Sequence, residues 1–251
     1  MKNSNKALLV IVGVLILLGV YSIFSLKSGL KNAEENAIVG NKNKVKETRE
    51  LNDFSGLNAN DFFIIEIRKG LKKLEIEAEE NLIPYILTDV DKNELKLKLN
   101  PKDTYRFNSR PIIKISIPDL NYLNINGSSI VSMLDSFYIP EAEFNFSGFS
   151  KSDLWLGAEQ LRIGISGSGE LSVKGAAKYV DFGISGSGTI HSEALVAKNS
   201  RVRVSGSGTA YVFAQESIDA EVSGSGDVFY YGNPSNVISN ISGSGSIKAK
   251  N

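Results

Sequence analysis

The feature that most constrains this chain is the tetrapeptide Ser-Gly-Ser-Gly, which occurs five times at nearly constant spacing. The first serines of the five copies are Ser166, Ser185, Ser205, Ser223 and Ser242. Two degenerate copies precede them at a similar spacing, NGSS at Asn126 and SGFS at Ser147. A motif that recurs with a period of about 19 residues is the signature of a stacked repeat.

The residues that flank each copy alternate between apolar and small or polar types. The position before the first residue of the copy is apolar in all seven: Ile125, Phe146, Ile165, Ile184, Val204, Val222 and Ile241. The position two residues earlier is apolar in six of the seven, with Ser239 as the exception. After the tetrapeptide a second alternating run begins, with one column formed by Leu171, Ile190, Ala210, Val228 and Ile247. Period-two alternation on both sides predicts two β-strands per turn, each with one buried face.

Ser-Gly-Ser-Gly has three candidate roles: a flexible linker, a phosphate-binding loop or a corner between two strands. A linker would not carry strict apolar alternation on both sides. A phosphate loop needs a single glycine-rich copy that opens a helix. Calcium-binding glycine repeats have a nonapeptide period and a regular aspartate, whereas only Asp227 directly follows a copy here. The pattern therefore indicates a corner, where glycine supplies positive φ and serine hydroxyls satisfy backbone groups.

These features predict an all-β fold, a right-handed parallel β-helix or solenoid with turns of about 19 residues, whose repeats span 123–250. Short strand patterns also occur between Phe54 and Pro118, among them DFFIIEIRKG and PIIKISIPDL. Between them, ENLIPYILTDV predicts a turn or short helical cap. The ends of a solenoid are edge strands, and we expect Lys248 and Lys250 to discourage end-to-end pairing.

The N-terminus predicts a membrane segment. Residues 7–26 contain no charge and are flanked by lysines on both sides. A stretch of about 20 residues matches the thickness of a bilayer core, and no clear cleavage motif follows, which favours an uncleaved anchor over a signal peptide for 1–26. The following stretch, 27–50, is charged and predicts a spacer. The sequence thus predicts a single-pass protein of the cell membrane whose C-terminal domain is extracytoplasmic, either periplasmic or extracellular.

Composition narrows the available chemistry. The chain has 28 basic and 28 acidic residues, so no net charge attracts nucleic acid. It has no cysteine and one histidine, His191, which excludes thiolate sites and multi-histidine metal sites. No Gly-x-Ser-x-Gly elbow or acidic pair on neighbouring turns is present. We therefore predict no catalytic, cofactor-binding or metal-binding residues and no enzyme, with a polysaccharide-active β-helix enzyme as a remote alternative.

Beyond these patterns, the order of ENLIPYI, IPDL, NGSS, repeated ISGSG and YYGNP resembles the bacterial putative auto-transporter adhesin family with the head GIN domain. The resemblance covers residues 51–251 and implies a β-helical extracytoplasmic domain. It departs from an auto-transporter in one respect, because no C-terminal membrane barrel follows the repeats in this sequence. The resemblance implies an adhesin-like role.

One exposed patch is predicted on the strands that follow the corner. Tyr211 and Phe213 point outward around Val212, and Phe229 and Tyr231 point outward on the next turn. These four rings form a predicted two-by-two patch that binds a ligand or partner, or else a ladder that stabilises the strands.

The sequence therefore predicts a non-enzymatic binding or structural module of the bacterial cell envelope. Its expected partner is a cell-surface glycan or an envelope protein, and no cofactor is implied. The alternative is an envelope-stress signalling or scaffold protein that binds other membrane proteins or a second copy of itself.

Overall fold

The computed structural model of the protein describes Leu18, Tyr21 and residues 36–250. Strand accounts for 68% of the structure and helix for 2%. The elements are β1 Ile38–Val39, β2 Lys44–Arg49, β3 Gly56–Ala59, β4 Ile64–Lys69, β5 Lys73–Glu79, the 3-10 turn η1 Ile83–Tyr85, β6 Ile86–Asp91, β7 Glu94–Leu99, β8 Tyr105–Arg106, β9 Ile112–Ile117, β10 Tyr122–Gly127, β11 Ile130–Met133, β12 Phe137–Gly148, β13 Lys151–Gly167, β14 Glu170–Gly186, β15 Thr189–Ser192, β16 Leu195–Gly206, β17 Thr209–Phe213, β18 Ser217–Gly224, β19 Asp227–Tyr231, β20 Asn236–Gly243 and β21 Ser246–Ala249.

The repeats stack as a parallel β-solenoid of about seven turns, as the sequence predicts. The strand segments before each corner pair in the order β3, β10, β12, β13, β14, β16, β18, β20, and we name them the pre-corner sheet. The segments after each corner pair in the order β4, β11, β13, β14, β15, β17, β19, β21, and we name them the post-corner sheet. The predicted marker serines lie in register, since Ser147, Ser166 and Ser185 are successive partners.

In the central turns the two predicted strands are continuous. β13 and β14 each run for 17 residues, from one corner to the next. The burial alternation shifts phase at two consecutive exposed residues, Glu159 and Gln160 in β13 and Lys178 and Tyr179 in β14. The chain therefore turns a second corner within each of these strands, and the pairing is interrupted there by one residue, since Ala158 pairs with Ala177 and Gln160 with Tyr179. The prediction of two strands per turn did not include this corner.

Glycine at the main corner has the predicted positive φ. In the second position of the tetrapeptide φ is 119° at Gly167, 118° at Gly186 and 114° at Gly206. A Cβ added at Gly186 would lie 2.6 Å from the carbonyl oxygen of Gly167 one turn away. That oxygen accepts a hydrogen bond from the N–H of Ser187 at 2.8 Å, so the close approach is part of the ladder. Backbone conformation and packing both require glycine here.

The interior is a continuous column of apolar side chains. The residues that the alternation predicts to face inward are buried through most of the solenoid, among them Phe146, Ile165 and Ile184. Ser192 interrupts this column and is also buried. Its hydroxyl donates to the carbonyl oxygen of Tyr211 at 2.9 Å, which satisfies the polar group.

The N-terminal block covers the first turn with antiparallel strands. β5 pairs with β2 on one side and β9 on the other, and β6 pairs with β7. β1 and β2 lie within 27–50, so the part of the predicted spacer from Ile38 onward contributes strands to the fold. Four of the six residues of β2, KVKETR, are charged, so the apolar alternation that predicts a strand is missing from this stretch. Its partner β5 lies further along the chain, with Arg49 opposite Leu74 and Lys44 opposite Glu79.

Glu79 joins this block together. Its buried carboxylate accepts hydrogen bonds from the backbone N–H of Lys42 and Asn108, both at 2.8 Å, and from the Asn108 side chain at 2.6 Å. Burial opposes the charged form, but these donors and the nearby Lys44 outweigh it and lower the pKa of Glu79. The carboxylate thus stays ionised inside the fold.

The last described turn leaves its interior exposed. Val237 and Ile241 of β20 continue the inward columns but are 45% and 50% exposed, and Ile238 on the outer side is 48% exposed. The predicted protective lysines, Lys248 and Lys250, lie beside the other sheet, where Lys250 Nζ is 5.0 Å from the ring centroid of Phe229. Neither lysine therefore belongs to the exposed strand β20.

Within the described part of the chain, no helix combines the length and apolar character needed to cross a membrane. The predicted anchor, 7–26, lies outside the described residues apart from Leu18 and Tyr21.

Candidate functional site

The outward positions of the post-corner sheet form a continuous column of varied chemistry. Strand register places six residues above one another in the order Asp153, Ser172, His191, Tyr211, Phe229, Lys248. We name them the outer column. Each residue lies one turn from the next, so neighbouring side chains are separated by about 4.8 Å, the distance between paired strands.

The three rings of the outer column stack face to face. The centroids of His191 and Tyr211 are 5.0 Å apart with an interplanar angle of 4°, and those of Tyr211 and Phe229 are 5.1 Å apart at 19°. Lys250 lies over Phe229. Because the ring faces are directed along the solenoid, they cover one another and present mainly their edges to a partner that approaches from the side.

The structure brings the four predicted ring residues together. Tyr211 is in register with Phe229, and Phe213 is in register with Tyr231. All four are half-buried, and Val212 between the first pair is fully buried. The four residues form a two-by-two arrangement, which we name the ring patch. Within the patch, Tyr211 and Phe229 stack and cover part of each other's surface.

A cleft that the sequence analysis did not identify adjoins the His191 end of the stack. It has a volume of about 350 Å³ and is lined by Asp153, Ser172, Lys174, His191 and Glu193, with Met133, Leu154, Val173 and Ala194 as its apolar part. Glu193 Oε1 is 3.7 Å from His191 Nδ1. Lys174 Nζ lies 4.5 Å from the ring centroid of Trp155, its partner on the preceding turn. Both carboxylates and the ammonium group border one small space.

One irregularity of the repeat accounts for this cleft. Ser172 pairs with His191, but a few positions later Gly175 pairs with Leu195, so the following turn has gained a residue between these two points. The additional residue is accommodated in the turn at Glu193 and Ala194. The longer interval between the marker serines Ser185 and Ser205 was the visible signal of this insertion. Such bulges redirect side chains next to functional sites.

A shallower groove follows the corner on the pre-corner sheet. It has a volume of about 530 Å³, and Gly164 and Gly183 open it between the larger side chains of Asn145 and Arg203. Arg203 is engaged by Asp181, with Nη2 2.8 Å from Oδ1. The groove thus has a row of serine hydroxyls but fewer free charged groups than the cleft.

Among residues 36–250, no group of three or more histidines and acidic residues is arranged to hold a metal ion. Asp153 and Glu193 are the acidic side chains that line the cleft. The outer column and the cleft together present stacked rings, a serine hydroxyl and charged groups.

Known proteins share both the sequence pattern and the fold of this chain. The family model described as "Putative auto-transporter adhesin, head GIN domain" matches residues 53–234. The crystal structure of a putative adhesin from Bacteroides fragilis has a TM-score of 0.81 at 24% identity, covering 85% of this chain and 100% of that one. A putative adhesin from Parabacteroides merdae has a TM-score of 0.69 at 17% identity, covering 86% and 100%.

A third structure, described as a putative lipid binding protein from Parabacteroides distasonis, has a TM-score of 0.70 at 23% identity, again covering 86% of this chain and 100% of that one. At these identities the structures establish a shared fold. No curated protein matches the chain. Since the family model spans well over half of the sequence and most of the solenoid, the chain belongs to the putative auto-transporter adhesin family with the head GIN domain.

Proposed function

We propose that this protein is a non-enzymatic, adhesin-like binding module of the bacterial cell envelope. Residues 7–26 would anchor it in the membrane, and the solenoid would lie on the extracytoplasmic side. The observation that carries the proposal is the ring patch, in which Tyr211 and Phe229 stack at 5.1 Å on a rigid parallel ladder. Aromatic side chains on a regular sheet provide a preorganised surface, so little side-chain entropy is lost when a partner binds.

The expected partner is a cell-surface glycan or an envelope protein. Ring edges carry partial positive charge and can contact the acceptor oxygens of a glycan or of a polypeptide. Membership of an adhesin family supports this assignment. The lipid-binding description of one structural neighbour offers a different ligand class, but the ring patch is a half-buried surface without the enclosed apolar cavity that an acyl chain would need.

The test compares full-length protein with a Tyr211→Ala, Phe213→Ala, Phe229→Ala, Tyr231→Ala variant. Both proteins are purified in detergent and applied to a glycan array and to intact bacterial cells. A Tyr138→Ala, Phe149→Ala, Tyr179→Ala variant is the matched control, because these exposed rings lie away from the patch. We expect the patch variant to lose binding at least tenfold and the control to retain it. Equal binding by a patch variant that still has β-sheet circular dichroism would refute the proposal.

A second candidate, a scaffold that binds its own copy, is favoured by the exposed strand β20. On one side β20 pairs with β18, and the described residues place no strand on the other side. Its inward positions, Val237, Ser239 and Ile241, are symmetric about Ser239. If two copies paired antiparallel through this edge, each Val237 would oppose the partner's Ile241, which gives a self-complementary apolar contact.

A further inference from the structure

The outer column contains a ring on three successive turns and then a serine. His191, Tyr211 and Phe229 stack at intervals of 5.0 and 5.1 Å, and the next position in register is Ser172. A serine side chain is too short to cover an imidazole ring. The face of His191 that is turned towards Ser172 therefore borders the cleft, and one more planar group would fit there at the same spacing.

The backbone is arranged to keep this space open. The inserted residue at Glu193 and Ala194 widens the turn. Pairing between β14 and β15 ends at Ser172 and His191, and pairing with the next turn resumes only at Gly175 and Leu195. Gly175 opposite this insertion has φ of 128°, and a Cβ there would overlap the carbonyl oxygen of Leu156. The cleft is thus a consequence of main-chain geometry and does not depend on one flexible side chain.

The polar groups around the cleft select the charge of a ligand. Asp153 and Glu193 supply carboxylates, Lys174 supplies an ammonium group, and Ser172 supplies a hydroxyl. An anionic ligand would meet two like charges, and a cationic ligand would meet the ammonium. A neutral ligand with several hydroxyls can donate to the carboxylates and accept from the ammonium without repulsion. The carboxylates, the ammonium group and the hydroxyl together therefore favour binding of a neutral polyol.

The cleft is large enough for one small ligand. Its volume of about 350 Å³ is at the lower end of the range for small-ligand sites. One face of a six-membered sugar ring carries C–H groups, which pack against the electron-rich face of an aromatic ring. Met133, Leu154 and Val173 also border the cleft, but their side chains are buried in the core, so the contact with the sugar ring rests on the face of His191.

We propose that this cleft binds a neutral hexopyranose ring, which stacks on the free face of His191 in the position that Ser172 leaves open. The proposal rests on the adhesin-like function above and deepens it, because it names the ligand class and the point on the outer column where recognition occurs. The ligand extends the protein's own ring stack by one turn. Asp153, Lys174 and Glu193 orient its hydroxyls.

The test uses the full-length protein and methyl glycosides of neutral hexoses, with glucuronic acid and glucosamine as charged comparisons. Binding is measured by saturation-transfer NMR and by the fluorescence of Trp155, the single tryptophan. We expect at least one neutral glycoside to bind at least fivefold more tightly than either charged sugar. The decisive variant is Ser172→Phe, which places the protein's own ring over His191. It should weaken binding at least tenfold while thermal stability is retained or increased.

Thr209→Phe is the matched control, because it adds the same ring in a neighbouring column away from the cleft. It should bind as the wild type does. His191→Leu is a second variant. It removes the ring face, changes side-chain volume less than Ser172→Phe does, and should also weaken binding. The proposal is overturned if no neutral glycoside binds, if charged sugars bind as tightly, or if Ser172→Phe binds like the wild type.

The two proposals fail separately. If Ser172→Phe leaves glycoside binding intact while the ring-patch variant loses its partner, the cleft is wrong and the adhesin-like function stands. If Ser172→Phe abolishes glycoside binding while the ring-patch variant still binds cells and glycans, the cleft stands and the ring patch is structural.

Discussion

At each main corner a single glycine determines whether the turn can form. The residue lies in the left-handed region, and its hydrogen atom takes the place where any other side chain would contact the carbonyl oxygen of the preceding turn. Asp61 holds the corresponding position in the first turn with φ of 72°, and its carbonyl lies against Gly127. An L-residue is therefore tolerated only where the stack of corners begins, since no corner of the same kind precedes it.

This geometry gives a prediction with an internal control. Gly186→Ala should lower the free energy of unfolding by about 1–3 kcal/mol, because the new Cβ meets the Gly167 oxygen at a positive φ. Gly183→Ala, slightly earlier on the same strand, meets no atom within 4 Å and should be neutral or stabilising by about 0.5–1 kcal/mol. Urea unfolding followed by circular dichroism measures both. Equal stability of the two variants would contradict the corner argument.

At the scale of the element, the ring stack joins three strands of the post-corner sheet. Tyr211 is the middle ring and contacts both neighbours, whereas His191 and Phe229 lie two turns apart. Aromatic pairs contribute about 0.5–1.5 kcal/mol beyond the area they bury. The contribution of the stack should therefore be distributed between adjacent pairs.

A double-mutant cycle tests this distribution. Tyr211→Ala and Phe229→Ala should show a coupling free energy of about 0.5–1.5 kcal/mol, measured from urea unfolding of the single and double variants. His191→Ala and Phe229→Ala remove rings that do not touch and are linked only through Tyr211, so their coupling free energy should be clearly smaller than that of the adjacent pair. If the distant pair couples as strongly as the adjacent pair, the rings act through a change in the whole sheet and not through stacking.

Features set by residues close together in the sequence could be predicted, whereas features set by pairing between distant segments could not. The corner and the inward columns of Phe146 and Ile165 were predictable, because alternation and the period are local properties of the chain. The strand β2 was missed, because four of its six residues are charged and its place in the sheet is defined only by antiparallel pairing with β5. The outer column was predictable from the period. The cleft beside His191 was not, because it depends on where within one turn the inserted residue lies, between the pairs Ser172–His191 and Gly175–Leu195.

At the scale of the whole molecule, a column of charged side chains runs along the solenoid and ends before its last described turn. One outward column of the pre-corner sheet alternates in sign through Glu143, Arg162, Asp181, Arg201 and Asp219. The next residue in register is Ile238. Exposed edges are usually protected by charge, so an apolar residue at this position is the feature that distinguishes β20 from the turns before it.

The absence of cysteine from the sequence makes self-pairing of this edge directly testable. In the antiparallel arrangement centred on Ser239, the two copies of this residue have Cα atoms about 4.5–5.5 Å apart, within disulfide range. Ser239→Cys should therefore form a disulfide-linked dimer under mild oxidation, as detected by non-reducing electrophoresis. Ser205→Cys, exposed on an inner turn, is the matched control and should remain monomeric.

Adding Ile238→Lys to Ser239→Cys should reduce dimer formation several-fold. The lysine continues the alternation next to Asp219 without disturbing the turn, but it places charge in the paired edge. If Ser239→Cys and Ser205→Cys crosslink equally, the exposed strand does not pair with its copy and the scaffold candidate is wrong.

The register of the corners also has a consequence for the order in which the protein folds. Lys151 pairs with Glu170 on the very next turn, whereas Gly56 pairs with Tyr122 only after the chain has passed through the whole N-terminal block. Closing short loops costs less entropy and favours rapid folding, so turns in the second half can nucleate and extend by one neighbour at a time. Docking of the N-terminal block closes a longer loop, since β3 pairs with β10 across more than 60 residues. We therefore expect a newly made chain to assemble its C-terminal turns before the N-terminal block docks onto them.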